Sequence, residues 1–336
     1  MHIRSDKSRR MFAAALVAML PVASCIAPVI AQVVATAPLA PDTRETADAE
    51  RSLFTAPTRK DNIGRIIAPV TINGAGPFRF VVDTGATHSA ISEDLAKRLN
   101  LPTSLTRTVL LSGVTGSATV GTVEVARFET GELVFEGRHM PLINSMLSGT
   151  DGVLGAEGLE TKRIIVDFVR NRLQITESRG KYVRQGYVTV PIEFGFNLLL
   201  LAEARIGTVR AKAIIDTGSE RTLGNNALRD ALGVQSGYFY NPSETGVQGV
   251  TAHVQNGYFA TAPRILIGGM KLNHVGVTFG DLHVFDVWGF KEVPALLIGM
   301  DVLGVLDSMV IDYGRKQIQL RPRGALSETG SRLIKQ

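Results

Sequence analysis

The sequence predicts a mostly β protein made of two homologous halves, and two observations support this prediction. Of the 336 residues, 45% are hydrophobic but only 6% are aromatic, and 34 are glycines. This composition suits short strands joined by tight turns better than it suits a helical bundle. In addition, an apolar run that leads into Asp-Thr-Gly occurs twice, with its aspartates at Asp83 and Asp216. The spacing of 133 residues is that of a whole domain, because solenoid repeats span roughly 20 to 50 residues.

The residues that follow each Asp-Thr-Gly also correspond between the halves. Nine residues after each aspartate stands a helix-capping residue, Ser92 in the first half and Asn225 in the second. Such side chains can accept hydrogen bonds from the free backbone N–H groups of a helix start. The short helices predicted there end at Asn100 and Gly233, two residue types that tolerate the left-handed conformation after a helix. The sequence therefore predicts an internal repeat.

Each half continues with a predicted β-hairpin, a supporting element and two closing strands. A Gly-Val-x-Gly turn lies at residues 113–116 and again at 246–249, between segments with strand-like alternation. Two aliphatic residues and a glycine follow at 153–155 and at 297–299. The closing strands are predicted at residues 164–168, 172–175, 309–313 and 317–320.

Residues 1–31 are predicted to be an export signal. A basic start precedes an apolar stretch, and residues 29–31 give a small-residue cleavage pattern. Residues 8–12 also resemble the start of a twin-arginine signal. An uncleaved membrane anchor is the alternative, although Pro21 and Pro28 interrupt the apolar segment. We therefore expect an exported protein that is periplasmic or associated with the cell envelope.

The single cysteine, Cys25, lies within this segment, so the mature chain cannot depend on disulfide bonds. Residues 22–25 also resemble a bacterial lipoprotein signal, which would make Cys25 the lipidated first residue. We expect contact with a membrane only through the signal segment or through lipidation at Cys25. The remaining predicted units are a flexible tether at 32–62, an N-terminal lobe at 63–178, a C-terminal lobe at 179–322 and a tail at 323–336.

The net charge of +5 does not indicate nucleic-acid binding. Residues 1–10 supply +3 of this charge, and the rest of the sequence has no basic stripe interleaved with aromatic residues. Four histidines could in principle ligate a metal, but they lack paired ligand spacing and no cysteines accompany them: His139, His253, His274 and His283. We therefore expect no metal, no cofactor and no nucleic-acid partner.

Asp83 and Asp216 are the candidate catalytic residues. Each follows three apolar residues, so each carboxyl group is expected at the end of a strand that leaves a hydrophobic core. An isolated buried carboxylate is costly, but two that meet can share one proton. The ionised member can then take a proton from water while the neutral member donates one to a substrate carbonyl. Glycines that permit close backbone approach and threonines that can join the loops are expected to support the pair: Thr84, Gly85, Thr217 and Gly218.

Both halves resemble the aspartic proteases of the retropepsin and pepsin type, over about residues 65–321. In that superfamily each lobe contributes an Asp-Thr-Gly loop, a hairpin flap that contains glycine, and a hydrophobic-hydrophobic-Gly element that supports the loop. The resemblance implies a bilobal, all-β acid-protease fold, with two retropepsin-like β-barrel lobes in one chain and a cleft between them. It also implies an aspartic endopeptidase whose peptide or protein substrate is hydrolysed by a water between Asp83 and Asp216. A monomer would then hold a complete site.

The same resemblance suggests which residues contact the substrate. The first loop continues Ala-Thr-His, as in retropepsins, whereas the second continues Ser-Glu-Arg, which is unusual for pepsins. The flap turns also lack the tyrosine of pepsin-type N-terminal flaps. The expected substrate contacts are Thr87, His88, Glu220 and Arg221 at the rim of the cleft, and Val114, Thr115, Val247 and Gln248 in the flaps. A local surface contact between Glu220 and Arg221 is the alternative role for that pair.

Two further alternatives concern the second half and the function. The second half is longer than the first, and its extra residues are predicted within 280–294, which includes Trp288. This insertion is expected to be either a loop over the cleft or the cover of a sheet edge. The alternative function is a non-catalytic peptide-binding module that keeps the acid-protease fold, although the intact second motif argues against it. A two-carboxylate glycosidase would need stacking aromatic residues, and few are present.

Overall fold

The computed structural model describes residues 64–131, 133–144, 149–180, 185–233, 243–251 and 253–323, together with five short strands between residues 11 and 60. Of the predicted export signal, only Met11–Ala13 and Val17–Ala18 are described. Cys25 and residues 324–336 lie outside the described residues, so the predictions of lipidation and of a tail stay predictions.

The described chain is mostly β, which confirms the all-β class expected from the composition. Five strands lie before residue 64: β1 (Met11–Ala13), β2 (Val17–Ala18), β3 (Gln32–Ala35), β4 (Ser52–Pro57) and β5 (Arg59–Lys60). The next group contains β6 (Ile66–Ile72), β7 (Ala75–Val82), β8 (Ala90–Ser92), α1 (Glu93–Arg98), β9 (Thr103–Gly113), β10 (Gly116–Thr130), β11 (Leu133–Ile143), β12 (Gly152–Leu154), β13 (Lys162–Asp167) and β14 (Arg172–Glu177).

The remaining elements begin after residue 185 and include a short 3-10 turn at Phe196–Leu198. The strands and helices are β15 (Val188–Pro191), β16 (Glu193–Phe194), β17 (Leu200–Ile206), β18 (Val209–Ile215), β19 (Leu223–Asn225), α2 (Asn226–Ala231), β20 (Ser243–Gly249), β21 (Val254–Thr261), β22 (Ile265–Ile267), β23 (Met270–Asn273), β24 (Gly276–Gly280), α3 (His283–Val287), β25 (Ala295–Ile298), α4 (Met300–Leu303), β26 (Ser308–Asp312) and β27 (Gln317–Arg321).

The strands form three sheets. The first has nine strands in the order β1-β9-β10-β11-β8-β12-β7-β6-β5, and the second has twelve strands that include β17 to β25. The third sheet has the order β15-β27-β26-β13-β14-β4 and so combines strands from both halves of the sequence. The closing strands predicted from the sequence are β13 and β14 in the first half, and β26 and β27 in the second.

The strands that lead into the two Asp-Thr-Gly segments have the same neighbours. β7 pairs in parallel with β12, and β18 pairs in parallel with β25. β12 and β25 also pair in antiparallel fashion with β8 and β19, respectively. On their other sides, β7 pairs with the preceding strand β6 and β18 pairs with the preceding strand β17. Both aspartates therefore follow strands from the interior of a sheet.

The helix that follows each loop is capped as the sequence predicts. Ser92 Oγ accepts a hydrogen bond from the Leu95 N–H at 3.1 Å, and Asn225 Oδ1 accepts one from the Leu228 N–H at 2.8 Å. After the helices, Asn100 and Gly233 adopt positive φ angles of 49° and 65°. The capping residues thus fix where α1 and α2 begin, and the residues with positive φ let the chain turn away.

The first predicted hairpin is confirmed, whereas the second lies further along the chain than expected. Gly113 pairs with Gly116, so β9 and β10 are joined at the predicted Gly-Val-Thr-Gly turn. In the second half, Val247 and Gln248 lie within β20 and pair with Gln255 and Val254. The turn therefore falls after Gly249, because Val247 fills an inward strand position and is fully buried.

The predicted tether also contains paired strands. β4 pairs with β14 over residues 52–57, β5 pairs with β6, and β3 pairs with β23. These strands add to the edges of β14, β6 and β23. The flexible tether at 32–62 stays a prediction.

No helix among the described residues combines the length and the apolar character that a membrane span requires. Within the same residues, no group of three or more His, Cys, Asp or Glu side chains could hold a metal ion.

Candidate active site

The two Asp-Thr-Gly loops are supported by the elements that the sequence singles out at residues 153–155 and 297–299. The Asp83 N–H donates to the Leu154 carbonyl at 3.0 Å, and the Asp216 N–H donates to the Ile298 carbonyl at 3.1 Å. The glycines of these elements lie against the loops, since a β-carbon at Gly155 would lie 2.6 Å from the carbonyl carbon of His88. Each aspartate is therefore held at its backbone before its side chain makes any contact.

Two threonine hydroxyls join the loops reciprocally. Thr84 Oγ1 donates to the Ile215 carbonyl at 2.7 Å and accepts from the Thr217 N–H at 3.1 Å. In turn, Thr217 Oγ1 donates to the Val82 carbonyl at 2.6 Å and accepts from the Thr84 N–H at 3.2 Å. Both threonines are buried. These four hydrogen bonds tie the loops 133 residues apart into one structural unit.

The two carboxyl groups are oriented in the same way. Asp83 Oδ1 accepts from the N–H groups of Gly85 and Ala86 at 2.8 and 3.0 Å. Asp216 Oδ1 accepts from the N–H groups of Gly218 and Ser219 at 2.8 and 3.2 Å. The second oxygen of each group, Oδ2, is buried and, apart from the facing carboxyl group, has no hydrogen-bond partner among the described residues.

Gly218 brings the second loop directly against the first carboxyl group. A β-carbon at position 218 would lie only 2.2 Å from Cγ of Asp83 and 2.4 Å from its Oδ2. No side chain fits there without moving Asp83. The absence of a side chain at Gly218 is therefore what allows the two carboxyl groups to approach each other.

Burial raises the pKa of Asp83, while hydrogen bonding to the Asp216 carboxyl and to backbone N–H groups opposes this increase. Burial also raises the pKa of Asp216, and here the negative charge of Asp83 raises it further. Two like charges at close range cannot both ionise easily, so the pair retains a proton to higher pH than an exposed aspartate does. The asymmetry favours a proton on Asp216.

A buried arginine that the sequence reasoning missed contributes to this asymmetry. Arg65 is fully buried, and the positive charge of its guanidinium group lowers the pKa of Asp83. Tyr313 is also buried near the site, and burial together with the charge of Asp83 raises its pKa. In the sequence, Arg65 is a charged residue directly before the apolar strand β6. That pattern predicts the start of a strand and does not predict a role in the site.

Two carboxylates, one just after each supporting element, bind the segments that follow the Asp-Thr-Gly loops. Glu157 accepts from the His88 ring at 2.8 Å and from the Ser89 N–H at 3.0 Å. Asp301 occupies the corresponding place in the second half, where it accepts from the Thr222 hydroxyl and the Thr222 N–H at 2.8 and 3.0 Å. Both carboxylates thus position the segments that follow the Asp-Thr-Gly loops.

The predicted rim residues lie in two places, Thr87 and His88 beside Glu157, and Glu220 and Arg221 beside each other. The Thr87 carbonyl accepts from the Glu157 N–H at 3.1 Å, and His88 is partly exposed beside it. In the second loop, Arg221 Nε lies 3.4 Å from Glu220 Oε1, with the Arg221 side chain 51% exposed. The local Glu220–Arg221 contact that the sequence left open is therefore present.

Each hairpin tip is buried in an apolar cluster formed mainly by the other half of the chain. Val114, at the first tip, is buried in a cluster of second-half residues that includes Val247 and Trp288. Val250, beyond the predicted second turn, is buried in a cluster of first-half residues that includes Val81. Thr115 Oγ1 donates to the His253 carbonyl at 2.7 Å. The hairpins are therefore in direct contact with each other.

The true second tip could have been found in the sequence. Gly249-Val250-Thr251 repeats the letters of Gly113-Val114-Thr115, whereas the segment chosen from the sequence, Gly246-Val247-Gln248, matches only its first two residues. Of the flap residues predicted to contact substrate, Val114 and Val247 are fully buried and Thr115 is nearly so. Their apolar and hydroxyl groups hold the hairpins rather than face open solvent.

The insertion predicted at 280–294 forms α3 and contacts the first hairpin. The Val284 N–H donates to the Val114 carbonyl at 3.2 Å, and the His283 ring hydrogen-bonds to the Ser117 hydroxyl at 2.7 Å. Trp288 is 6% exposed and packs edge-on against Phe285, with ring centroids 6.3 Å apart. The insertion thus fastens the first hairpin to the second half.

Residues 68–157 match the family described as Aspartyl protease. This match supports a retropepsin-like aspartyl protease family for the matched segment. A search of curated proteins found no match. The aspartyl protease segment contains Asp83, the hairpin of β9 and β10, and the supporting element at 153–155. The second loop lies outside the matched segment, but it is bound to the aspartyl protease segment through Thr84 and Thr217.

Proposed function

We propose that this aspartyl protease is an aspartic endopeptidase in which Asp83 and Asp216 act together on one water molecule. The observation that carries the proposal is the arrangement of the two carboxyl groups. Their Oδ1 atoms are fixed by backbone N–H groups, and both Oδ2 atoms are buried with no partner among the described residues other than the facing carboxyl group. The reciprocal threonine contacts support one catalytic unit made from both loops.

The raised pKa of Asp216 suggests how the roles divide between the two residues. Asp83, whose charge is favoured by Arg65, is the ionised base, and Asp216 is the neutral acid. As the water oxygen bonds to the peptide carbonyl carbon, Asp83 takes a proton from the water and Asp216 gives its proton to the carbonyl oxygen. The product is a neutral tetrahedral diol, with no covalent bond to the enzyme.

Collapse of the diol completes the hydrolysis. Asp83, now protonated, donates its proton to the amide nitrogen as the carbon–nitrogen bond breaks. Asp216 recovers a proton from a diol hydroxyl, which becomes the carbonyl oxygen of the new carboxyl group. The pair returns to its initial state with one shared proton, so the cycle requires neither a metal nor a cofactor.

Substrate access requires movement of the hairpins. The tips lie in direct contact through Thr115 and His253, and Val114 is buried under the insertion. We infer that an extended peptide binds after the tips separate, and that they close over it by strand addition. Because both loops belong to one chain, a monomer holds every group that the mechanism uses.

The experiment that tests the proposal is hydrolysis of an unfolded protein substrate between pH 3 and 8. The parent protein is compared with Asp83→Asn and Asp216→Asn, and folding is checked by circular dichroism. Asp94→Asn and Asp230→Asn are matched controls, because these aspartates lie on α1 and α2 outside the site. We expect cleavage by the parent and both controls, and none by the two site variants.

Two other results would contradict the proposal. Unchanged cleavage by a folded site variant would exclude the shared-water mechanism. An inert parent that still binds unfolded peptides would favour the peptide-binding module.

The cellular location is part of the proposal as well. The basic start and the cleavage pattern of residues 1–31 support export to the periplasm or cell envelope. Fractionation of producing cells, with N-terminal sequencing of the mature chain, tests this point. A chain that begins at a lipidated Cys25 would support the envelope-anchored alternative.

A further inference from the structure

A polar cavity lies beside the segment that follows the first Asp-Thr-Gly loop. Its volume is about 720 Å³, and its walls come from β9, β10, β11 and the segment that follows the loop. The residues that decide its chemistry are Arg107, Leu110, Arg138, His139, His88 and Glu157. The cavity is large enough for a long side chain, and polar as well as apolar residues line it.

The cavity carries a net positive charge. Arg107 and Arg138 are exposed, and neither forms an ion pair with a carboxylate of the described residues. Among the described residues that line the cavity, Glu157 is the single carboxylate. The Glu157 carboxylate already accepts hydrogen bonds from the His88 ring and the Ser89 N–H. The two guanidinium groups are therefore left to attract an anion from outside.

The Arg138 guanidinium group is also partly positioned. Its central carbon lies 5.5 Å from the centroid of the Phe135 ring, and such stacking limits the freedom of the planar group. Arg107 is anchored at its backbone, where its N–H donates to Ser104 Oγ at 3.0 Å and its carbonyl accepts from Thr122 Oγ1 at 3.0 Å. The backbone contacts fix where the Arg107 side chain starts, and the ring contact orients the Arg138 group itself. Planar guanidinium groups suit carboxylates, which they can bind with two parallel hydrogen bonds.

The cavity adjoins the path of an extended peptide. His88 follows Asp83 by five residues in the sequence, and its backbone lies against Gly155 of the supporting element. On the other side, β1 pairs in parallel with Leu110–Ser112 along the outer edge of β9. That edge therefore accepts an added strand, and Leu110 belongs both to the edge and to the cavity wall.

We propose that this cavity is a specificity subsite that binds an acidic side chain of the peptide substrate. The proposal rests on the endopeptidase function, because the side chain belongs to a peptide aligned on β9. Glutamate or aspartate at one fixed distance from the scissile bond places its carboxylate between Arg107 and Arg138. A glutamine of the same shape loses the charge and binds more weakly.

Pairs of synthetic peptides that differ only by Glu or Gln at one position test the proposal. Each position on both sides of the scissile bond is varied in turn, and kcat/KM is measured at low and high salt. We expect one position at which the Glu peptide is preferred roughly ten-fold or more. The preference weakens at high salt, because exposed charges are screened.

Two arginine variants test whether the preference for the Glu peptide arises in the cavity. We expect Arg107→Gln and Arg138→Gln each to lower the Glu-to-Gln ratio of kcat/KM toward one. Arg210→Gln, on the exposed face of β18, is the matched control and keeps the parent ratio. The double charge reversal, Arg107→Glu with Arg138→Glu, is expected to favour a Lys peptide at the same position.

The outcomes separate this inference from the proposed function. Cleavage of every peptide with equal kcat/KM for Glu and Gln would overturn the subsite and leave the endopeptidase function intact. A Glu preference that survives both arginine variants would place the acidic side chain elsewhere and overturn the assignment. Failure to cleave any peptide would overturn the endopeptidase function and the subsite with it.

Discussion

The backbone of Gly218 packs directly against the Asp83 carboxyl group, so this glycine is needed for that close contact as well as for the turn. A β-carbon there would overlap the Asp83 carboxyl atoms, because the separations would be 2.2 to 2.5 Å. The same close approach lets Asp83 and Asp216 interact directly.

The sequence predicted the pair and its supporting threonines and glycines, since all belong to two short motifs. It did not predict Arg65, because nothing in the sequence around Arg65 indicates that its charge acts on Asp83.

Gly218→Ala is expected to displace the Asp83 carboxyl group and to lower kcat by roughly 100-fold, since small misplacements of catalytic groups have such effects. Gly246→Ala is the matched control, because its β-carbon would meet Val254 Cγ1 at 3.6 Å, an ordinary contact. Hydrolysis of the unfolded protein substrate measures both. Full activity in folded Gly218→Ala would show that the close approach is not needed.

Asp301 is expected to make stability depend on pH. Burial raises its pKa to about 6, although hydrogen bonds from Thr222 oppose this increase, and its ordinary value is 3.8. Between these values the folded state binds more protons at Asp301 than the unfolded state does. The free energy of unfolding therefore falls as pH rises through this window, by about 1.4 kcal/mol for each unit of pKa difference.

Asp301→Asn removes this titration, so its free energy of unfolding should fall less between pH 4 and 6 than that of the parent. Urea unfolding at several pH values measures the two slopes. Asp230→Asn, at the exposed end of α2, serves as the control. Equal slopes for the parent and Asp301→Asn would contradict a raised pKa in the folded state.

Among the secondary-structure elements, the hairpins and α3 show where sequence patterns stop being sufficient. Ser92 and Asn225 marked the starts of α1 and α2 correctly because capping is a local interaction. The second hairpin offered two glycine-containing turns, and the pairing of β20 with β21 decided between them. Strands β3 and β4 were missed for a similar reason, because their partners β23 and β14 lie far along the chain.

The insertion should couple the first hairpin to the rest of the molecule. Phe285 is 1% exposed and packs against Trp288 in the cluster that also buries Val114. Phe285→Ala is expected to lower the free energy of unfolding by roughly 3 to 5 kcal/mol. Because Trp288 is the only tryptophan, its fluorescence should shift to longer wavelength in the folded variant.

Phe196→Ala is a suitable control, since that phenylalanine is 38% exposed. Urea unfolding and the emission spectrum of the folded state are measured together. Parent-like stability and an unshifted spectrum for Phe285→Ala would show that α3 is not packed as described.

In the molecule as a whole, the third sheet joins the two halves of the chain. β13 pairs with β26, and between them Arg163 Nε donates to Asp312 Oδ2 at 2.9 Å. Both side chains are fully buried. The sequence predicted the strands, but Arg163 and Asp312 are 149 residues apart and nothing local indicates that they meet. Only the pairing of the halves brings the two charges together.

Arg163→Met is expected to lower the free energy of unfolding by roughly 3 to 5 kcal/mol, because it leaves the Asp312 charge buried without its cation. The double variant Arg163→Met with Asp312→Leu should recover much of this loss, since it removes both charges. Urea unfolding of the two variants and the parent gives the comparison. A double variant that is less stable than Arg163→Met would contradict the importance of the unpaired charge.

The central claim is that residues from both halves form one catalytic unit, and its most direct test is a comparison of single and double variants. The rate of hydrolysis is measured for Asp83→Asn, Asp216→Asn and the variant that carries both substitutions. Residues that act as a unit are strongly non-additive. The account therefore predicts that each single variant loses as much activity as the double variant. Independent losses that multiply in the folded double variant, or activity retained in either single variant, would contradict it.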